Sequence, residues 1–481
     1  MSEHGTSSEP TAWTEGEGVG ESVGTAVLLA SVAALGGFLF GYDTAVINGA
    51  VTAIDHAYNA SSLALGLTVS SALLGSAVGA LSAGRVADRY GRLYAMRVAA
   101  VLFLVSAVGS GLAWSLTSLA VFRVIGGIAV GIASVIAPAY IAEIAPARIR
   151  GRLGSLQQLA IVSGIFLALL VDYAIAAAAG GSEKQLALGL EAWRWMFLAM
   201  ILPAAAYGIL SLTIPESPRH LVAKGRVDEA RAVLRRLLGD AGLDRKVALI
   251  RETLKRETVP SMRDLRGPAL GLLPIVWVGI GLSVFQQFVG INVIFYYSSV
   301  LWQAVGFSEN DALVITVITA VVNIITTLVA ILLVDRLGRR PLLLIGSAGM
   351  ALTLGILAVI FAGAEGTTAR PVLGPVAGPV ALVAANAYVF AFGMSWGPMV
   401  WVLLGETFPN RIRAAALSVA AAAQWIANWL VSTTFPTLKD AGLGLAYGLY
   451  TAAALLSFVF VWKFVRETKG RELEEMQTLH S

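Results

Sequence analysis

The 481-residue chain contains no cysteine and four histidines, and only 13% of its residues are charged. Without cysteine there is no disulfide framework and no thiol chemistry. His4, His56, His220 and His480 all fall in predicted loops or tails, so no imidazole is expected deep in a span and no metal site is expected. A charged fraction this low is about half that of a soluble globular domain. Residues 1–24 hold no Lys or Arg, so they lack the basic leading region of a signal peptide and are expected to form a disordered cytoplasmic tail. What fills the chain instead is apolar: 57% of residues are hydrophobic and the mean hydropathy is +0.77.

Apolar runs of about 20 residues, the length that crosses a bilayer, recur along the chain. Predicted spans fall near 25–50, 64–84, 94–113, 117–142, 152–175 and 193–214, then 269–300, 310–334, 341–362, 378–405, 412–438 and 443–465. The predicted fold class is an all-α membrane protein of about twelve transmembrane helices, in two six-helix bundles with a cytoplasmic helical linker domain. The expected organisation is a tail at 1–24, bundles at 25–214 and 269–466, the linker at 215–268, and a second cytoplasmic tail at 467–481. In the linker, "RVDEARAVLRRLL" puts Val227, Ala230, Val233, Leu234 and Leu237 on one helical face. Of the 34 Lys and Arg, only Lys184, Arg194, Arg370 and Lys439 sit in loops on one side; nearly all the others lie on the opposite side. By the positive-inside bias both termini are expected to be cytoplasmic. The net charge of +4 therefore reflects topology, and no nucleic-acid partner is implied.

The chain repeats itself. "EIAPARIR" at 143–150 and "ETFPNRIR" at 406–413 share Glu, Pro three later and Arg five and seven later. "DRYGR" at 88–92 matches "DRLGR" at 335–339, and "PESPR" at 215–219 pairs with "RETKGR" at 466–471. Two repeats related by an axis along the membrane normal are a transporter architecture, with the ligand held between them near the midplane. The repeated charges are expected to gate the inner face as one cluster of Arg92, Glu143, Arg150 and Glu216 and a second of Arg339, Arg340, Glu406, Arg413 and Glu467. Each exposed pair contributes about 0–1 kcal/mol, which biases conformations without locking them.

Inside the spans the polar groups are amides and indoles: Gln157 and Gln158, "QQFVGINVIFYY", Asn323, "SWGPMVW" and "AAQWIANW". Such groups are costly in lipid and should face a cavity. Gln286, Gln287, Asn292 and Tyr296 do not share one ideal face, but Gly290 allows the helix to deform between them. Amides donate and accept at once, which suits the paired hydroxyls of a sugar, while Trp401 and Trp425 offer flat surfaces to its C–H face. A neutral polyhydroxylated ligand is expected.

Asp43 and Arg123 are predicted at matching depth in the first and fourth spans. A charge at that depth costs about 2.5–3.5 kcal/mol on insertion scales. Pairing with Arg123 favours the carboxylate, and parting from it favours proton uptake, so proton affinity follows conformation. Asp172 and Glu365 are expected at outer ends or in loops, solvated. The alternative for Asp43 and Arg123 is a permanent ion pair fixing the two helices.

The stretches "GYDTAVINGA", "GRVADRYGR", "FRVIGGIAVG", "PESPR", "QQFVGIN", "VDRLGRR", "GPMVWVLLGETFPNRIR" and "ETKG" resemble, in order and spacing from about residue 25 to 475, the signatures of the sugar porter family of the major facilitator superfamily. The resemblance implies alternating access between two bundles. It implies sugar ligands at Gln158, Gln286, Gln287, Asn292, Tyr297, Asn323, Trp401, Gln424, Trp425 and Asn428, with Phe40 lining the pocket. An acid at Asp43 resembles the bacterial proton symporters of the family, whereas animal facilitators carry Asn there. Gly393 stands where animal facilitators carry Glu, and Ile165 is apolar as in glucose-type carriers.

The expected function is proton-coupled import of a monosaccharide, with glucose favoured over xylose or galactose, across the plasma membrane. The alternative is a sugar facilitator without proton coupling. The proton is the coupling ion; no other cofactor and no obligate protein partner is implied. An exporter of apolar compounds would call for Phe, Met and a lone acid, and an enzyme for an acid/base pair or metal ligands; neither pattern is present.

Overall fold

A computed structural model describes residues 23–145, 150–239, 242–256, 262–367, 370–408 and 412–467. Among these, twelve helical spans are long and apolar enough to cross a membrane: Val23–Tyr58, Ser62–Tyr90, Arg92–Gly111, Leu116–Ile144, Leu156–Ala179, Ala192–Ser211, Pro274–Ala304, Glu309–Ala330, Arg339–Ala362, Ala377–Leu404, Ala415–Ala441 and Leu443–Phe464. The expected tails lie outside the described residues, apart from Val23 and Gly24, which already belong to the first helix, and Glu467. Odd-numbered spans start at the face that carries the basic segments, here called the charge-rich end.

The first span runs well past its expected end at residue 50. Asp55 and His56 end the apolar run, but Ala53 and Ile54 keep one face of the helix dry, and one dry face is enough to continue it. His56 thus lies on the last turn of a helix, not in a loop.

Close helix approach explains the first bundle. Gly75 and Gly79 of the second span face the carbonyls of Val124 and Ile128; Gly127 and Gly131 of the fourth face those of Ala72 and Ser76. A Cβ on any of the four would come within 2.2 Å of a carbonyl oxygen. Small residues spaced by four let membrane helices meet backbone to backbone.

The same pairs of neighbours recur in both halves. First packs on fifth as seventh packs on eleventh, third on sixth as ninth on twelfth, second on fourth as eighth on tenth. Between the halves, second meets eleventh and fifth meets eighth, one contact made twice. A twofold repeat produces this pattern.

Three of the spans are broken partway along. The seventh span divides at Gly290, whose φ of +83° suits only glycine well. The first divides at Val46 and the tenth between Gly393 and Trp396. At the charge-rich end the linker forms helices Pro218–Ala223, Val227–Leu238 and Leu243–Arg256, with Ala230, Val233, Leu234 and Leu237 buried.

Candidate functional site

The continuation of the first span to Tyr58 places Asp43 near its middle, deeper than a helix ending at residue 50 would put it. Both Asp43 and Arg123 are buried. The Arg123 Nη1 lies 3.3 Å from Asp43 Oδ2 and donates to the Asp43 backbone carbonyl at 2.8 Å. Neither carboxylate oxygen takes part in a hydrogen bond, and Arg123 Nε has no partner. The guanidinium also stands over the Phe197 ring, 5.9 Å from its centre. Coulomb attraction and a backbone anchor thus hold the pair, without the bidentate fork that makes an arginine–carboxylate pair rigid.

Asp172 corrects an expectation. It is fully buried on the fifth span, where its Oδ2 accepts the Gly49 N–H at 3.2 Å and its Oδ1 has no partner. The helix continues to Ala179, so the acid lies inside the span and is not solvated. Glu365 is exposed on a short strand, as expected.

The amides of the second half form one chain of bonds. Asn292 Nδ2 donates to Gln287 Oε1 at 2.6 Å, and Gln287 Nε2 donates to Gln286 Oε1 at 3.2 Å. Gln424 Nε2 donates to that same Gln286 oxygen at 2.6 Å. Gln286 Nε2 in turn donates to the carbonyls of Trp396 and Gly397, at 2.9 and 3.1 Å, the first two residues of the helix that resumes after the break in the tenth span. Gly290 makes this possible, because the break brings residues before and after it to one locus.

Other expected residues surround this chain. Asn428 Nδ2 reaches Tyr296 Oη at 3.5 Å, and Tyr297 Oη donates to the Ser432 carbonyl at 2.8 Å. From the first half, Phe40 meets Trp425 with ring centres 6.3 Å apart. Gln158 is exposed, Asn323 and Ile165 are partly exposed, and Trp401 is nearly half exposed at 48%. These four stand outside the hydrogen-bonded chain among the described residues. Gln157, the neighbour of Gln158, is the buried one of the two; it packs on Gly37 and its Oε1 has no partner. Alternation within "QQ" could have signalled that one faces away, but not which.

At the charge-rich end the expected clusters are partly assembled, within each half. Arg92 grips Glu143 through Nη2 at 2.9 Å and Nε at 3.1 Å, and Ser217 Oγ also donates to Glu143. Glu216 bonds backbone: it accepts the N–H groups of Arg92 and Leu93 at 3.1 and 3.2 Å. Glu467 repeats this on Arg339 and Arg340, at 3.1 and 3.0 Å. Each carboxylate therefore caps the N-terminus of the span that follows a glycine at positive φ, Gly91 at +110° and Gly338 at +89°. Free N–H groups and the helix dipole favour an anion there. The side chains of Arg150, Glu406 and Arg413 lie outside the described residues. His220, buried on its helix, presents Nδ1 to Arg92 Nη1 at 3.4 Å. Burial holds this imidazole below its ordinary pKa against the pull of Glu216, so Nδ1 is free to accept.

Losing such a cap has an expected cost. Glu216→Ala should lower stability by about 1–2 kcal/mol, the range for removed helix caps, and Glu216→Gln by less because one acceptor remains. Thermal unfolding in detergent reads the difference; equal losses would contradict the capping role.

Two repeated bundles, with a chain of amides at the breaks of the seventh and tenth spans, define a secondary transporter of the major facilitator superfamily. The chain belongs to its sugar transporter family: the model described as "Sugar (and other) transporter" matches residues 29–480. It is 59% identical over 452 residues to the glucose transport protein of Synechocystis sp., covering 94% of this chain and 96% of that one. It is 41% identical to the D-xylose-proton symporter of Escherichia coli, covering 93% and 94%. The inward open conformation of the xylose transporter XylE from E. coli is similar in structure, with a TM-score of 0.79, 38% identity and coverage of 94% and 99%. The protein is a multi-pass membrane sugar transporter and not an enzyme.

Proposed function

We propose that the protein imports a monosaccharide, glucose before xylose or galactose, coupled to protons through Asp43. The observation that carries this reading is the buried Asp43–Arg123 pair, held by charge and one backbone bond with its carboxylate oxygens free of hydrogen bonds. A proton can replace the guanidinium as the partner of that carboxylate when the helices shift. The relatives named for glucose transport and xylose–proton symport support the substrate class and the coupling ion. Membrane potential then supplies about 2.3 kcal/mol per proton at 100 mV.

In this reading Gln286, Gln287, Asn292, Gln424 and Asn428 meet the sugar hydroxyls, and Phe40, Trp401 and Trp425 its apolar faces. Gln158 and Asn323 complete the site from the fifth and eighth spans, and Ile165 is apolar, as in glucose-type carriers. The charge clusters work as the inner gate, the basic end is cytoplasmic with both termini, and the membrane is the plasma membrane.

Labelled glucose uptake into proteoliposomes under an inward proton gradient tests the assignment. Unlabelled glucose should compete about tenfold better than xylose, the scale of one or two side-chain contacts. Stronger competition by xylose would overturn the glucose assignment, and uptake indifferent to the gradient would make the protein a facilitator.

A further inference from the structure

At the charge-poor end several hydrogen bonds join the halves. Ser70 meets Thr433 at 2.7 Å, Gln303 donates to Thr52 at 3.3 Å, and Ser62 bonds Asp440. Asn48, on the first span just past its break, is fully buried and differs from these in what it binds. Its Nδ2 donates to the Phe295 carbonyl at 3.0 Å, and its Oδ1 accepts the Ser299 N–H at 3.0 Å. Its backbone carbonyl accepts from Ser299 Oγ at 2.5 Å. All three bonds cross from the first half to the seventh span.

We infer that Asn48 is the latch that holds the two halves closed at the charge-poor end, a positioning residue whose bonds to the seventh span break and reform in each transport cycle. The inference rests on the alternating-access reading above. Phe295 C=O and Ser299 N–H are four residues apart, the groups that pair with each other in an uninterrupted α-helix. The amide, which donates and accepts at once, engages both groups from outside while the helix runs on from Ile291 to Ala304. On release the two backbone groups bond each other, so the seventh span is left with no orphan. The Asn48 side chain and the Ser299 hydroxyl then need new partners, which solvent entering from a nearby cavity supplies. A cavity of about 540 Å³ opens between the halves, lined in part by Val51, Thr52, Val300 and Gln303, one helical turn from Asn48 and Ser299. A bond whose loss is repaired on one side and hydrated on the other opens and closes reversibly, unlike a buried polar contact that strands its partner.

The chain has no cysteine, so two introduced ones carry spin labels without background. Ala57→Cys and Ala441→Cys are exposed at the charge-poor ends of the first and eleventh spans, one in each half. Electron–electron distance measurements on the full chain in lipid, with and without glucose, read the separation. Asn48→Ala should raise the ratio of outer-open to outer-closed molecules about tenfold, equivalent to about 1.4 kcal/mol. Ser299→Ala, which keeps the N–H and loses the hydroxyl bond, should shift it the same way by less, and it carries the test alone if Asn48→Ala fails to insert. Glucose shifting the distances while both variants match the parent ratio within twofold would overturn the latch. Distances that do not respond to glucose in the parent pair would overturn the alternating-access reading, and the latch with it.

Discussion

Asp43→Asn is expected to abolish accumulation of sugar against its gradient while leaving exchange of sugar across the membrane intact. At 100 mV one co-transported proton supports about 2.3 kcal/mol, or about 50-fold accumulation; in the variant the ratio should fall to about one. Asn preserves the size of the side chain and leaves in place the backbone carbonyl that Arg123 bonds at 2.8 Å. It removes the carboxylate on which the proposed coupling depends. The guanidinium then loses its counter-charge in a buried site, which is costly, so Asp43→Asn combined with Arg123→Gln should insert better than Asp43→Asn alone and stay uncoupled. Accumulation by either variant would return the pair to a fixed structural bridge.

The second large effect is expected at Gln286. Its side chain ties together three spans, donating to the tenth and accepting from Gln424 of the eleventh and from its own neighbour Gln287. Truncation strips Gln287 and Gln424 of their acceptor and leaves the Trp396 and Gly397 carbonyls without that donor. With each orphaned group costing about 1–3 kcal/mol, Gln286→Ala should weaken glucose binding 10- to 100-fold through misplaced neighbours as well as lost contact. Calorimetric titration checks this. Binding within twofold of the parent would mean that the sugar sits elsewhere.

Much of this arrangement was legible in the sequence because membrane physics leaves few options. Long apolar runs have to be helices, and duplicated motifs mean duplicated bundles. What escaped was fixed by tertiary contact. Asp55 and His56 read as the end of the first span because hydropathy falls there, yet a helix needs only one dry face to continue. Asp172 reads as a solvated end residue because the predicted fifth span stops near 175, though its setting in "LLVDYAIA" is as apolar as that of Asp43 in "FGYDTAV". Glu216 and Glu467 stood in the right clusters, but a sequence does not say whether a carboxylate will choose a guanidinium or a helix N-terminus. Asn48 carried a weak signal, one amide in "TAVINGA", and its role depends on a helix some 250 residues away.

The claim at the centre of this account is that sugar and proton move together. The measurement is sugar-evoked acidification inside proteoliposomes loaded with a pH-sensitive dye, with glucose added outside and labelled uptake followed in parallel. The account predicts that glucose acidifies the lumen in step with its own entry. Glucose entering with no proton signal would contradict it.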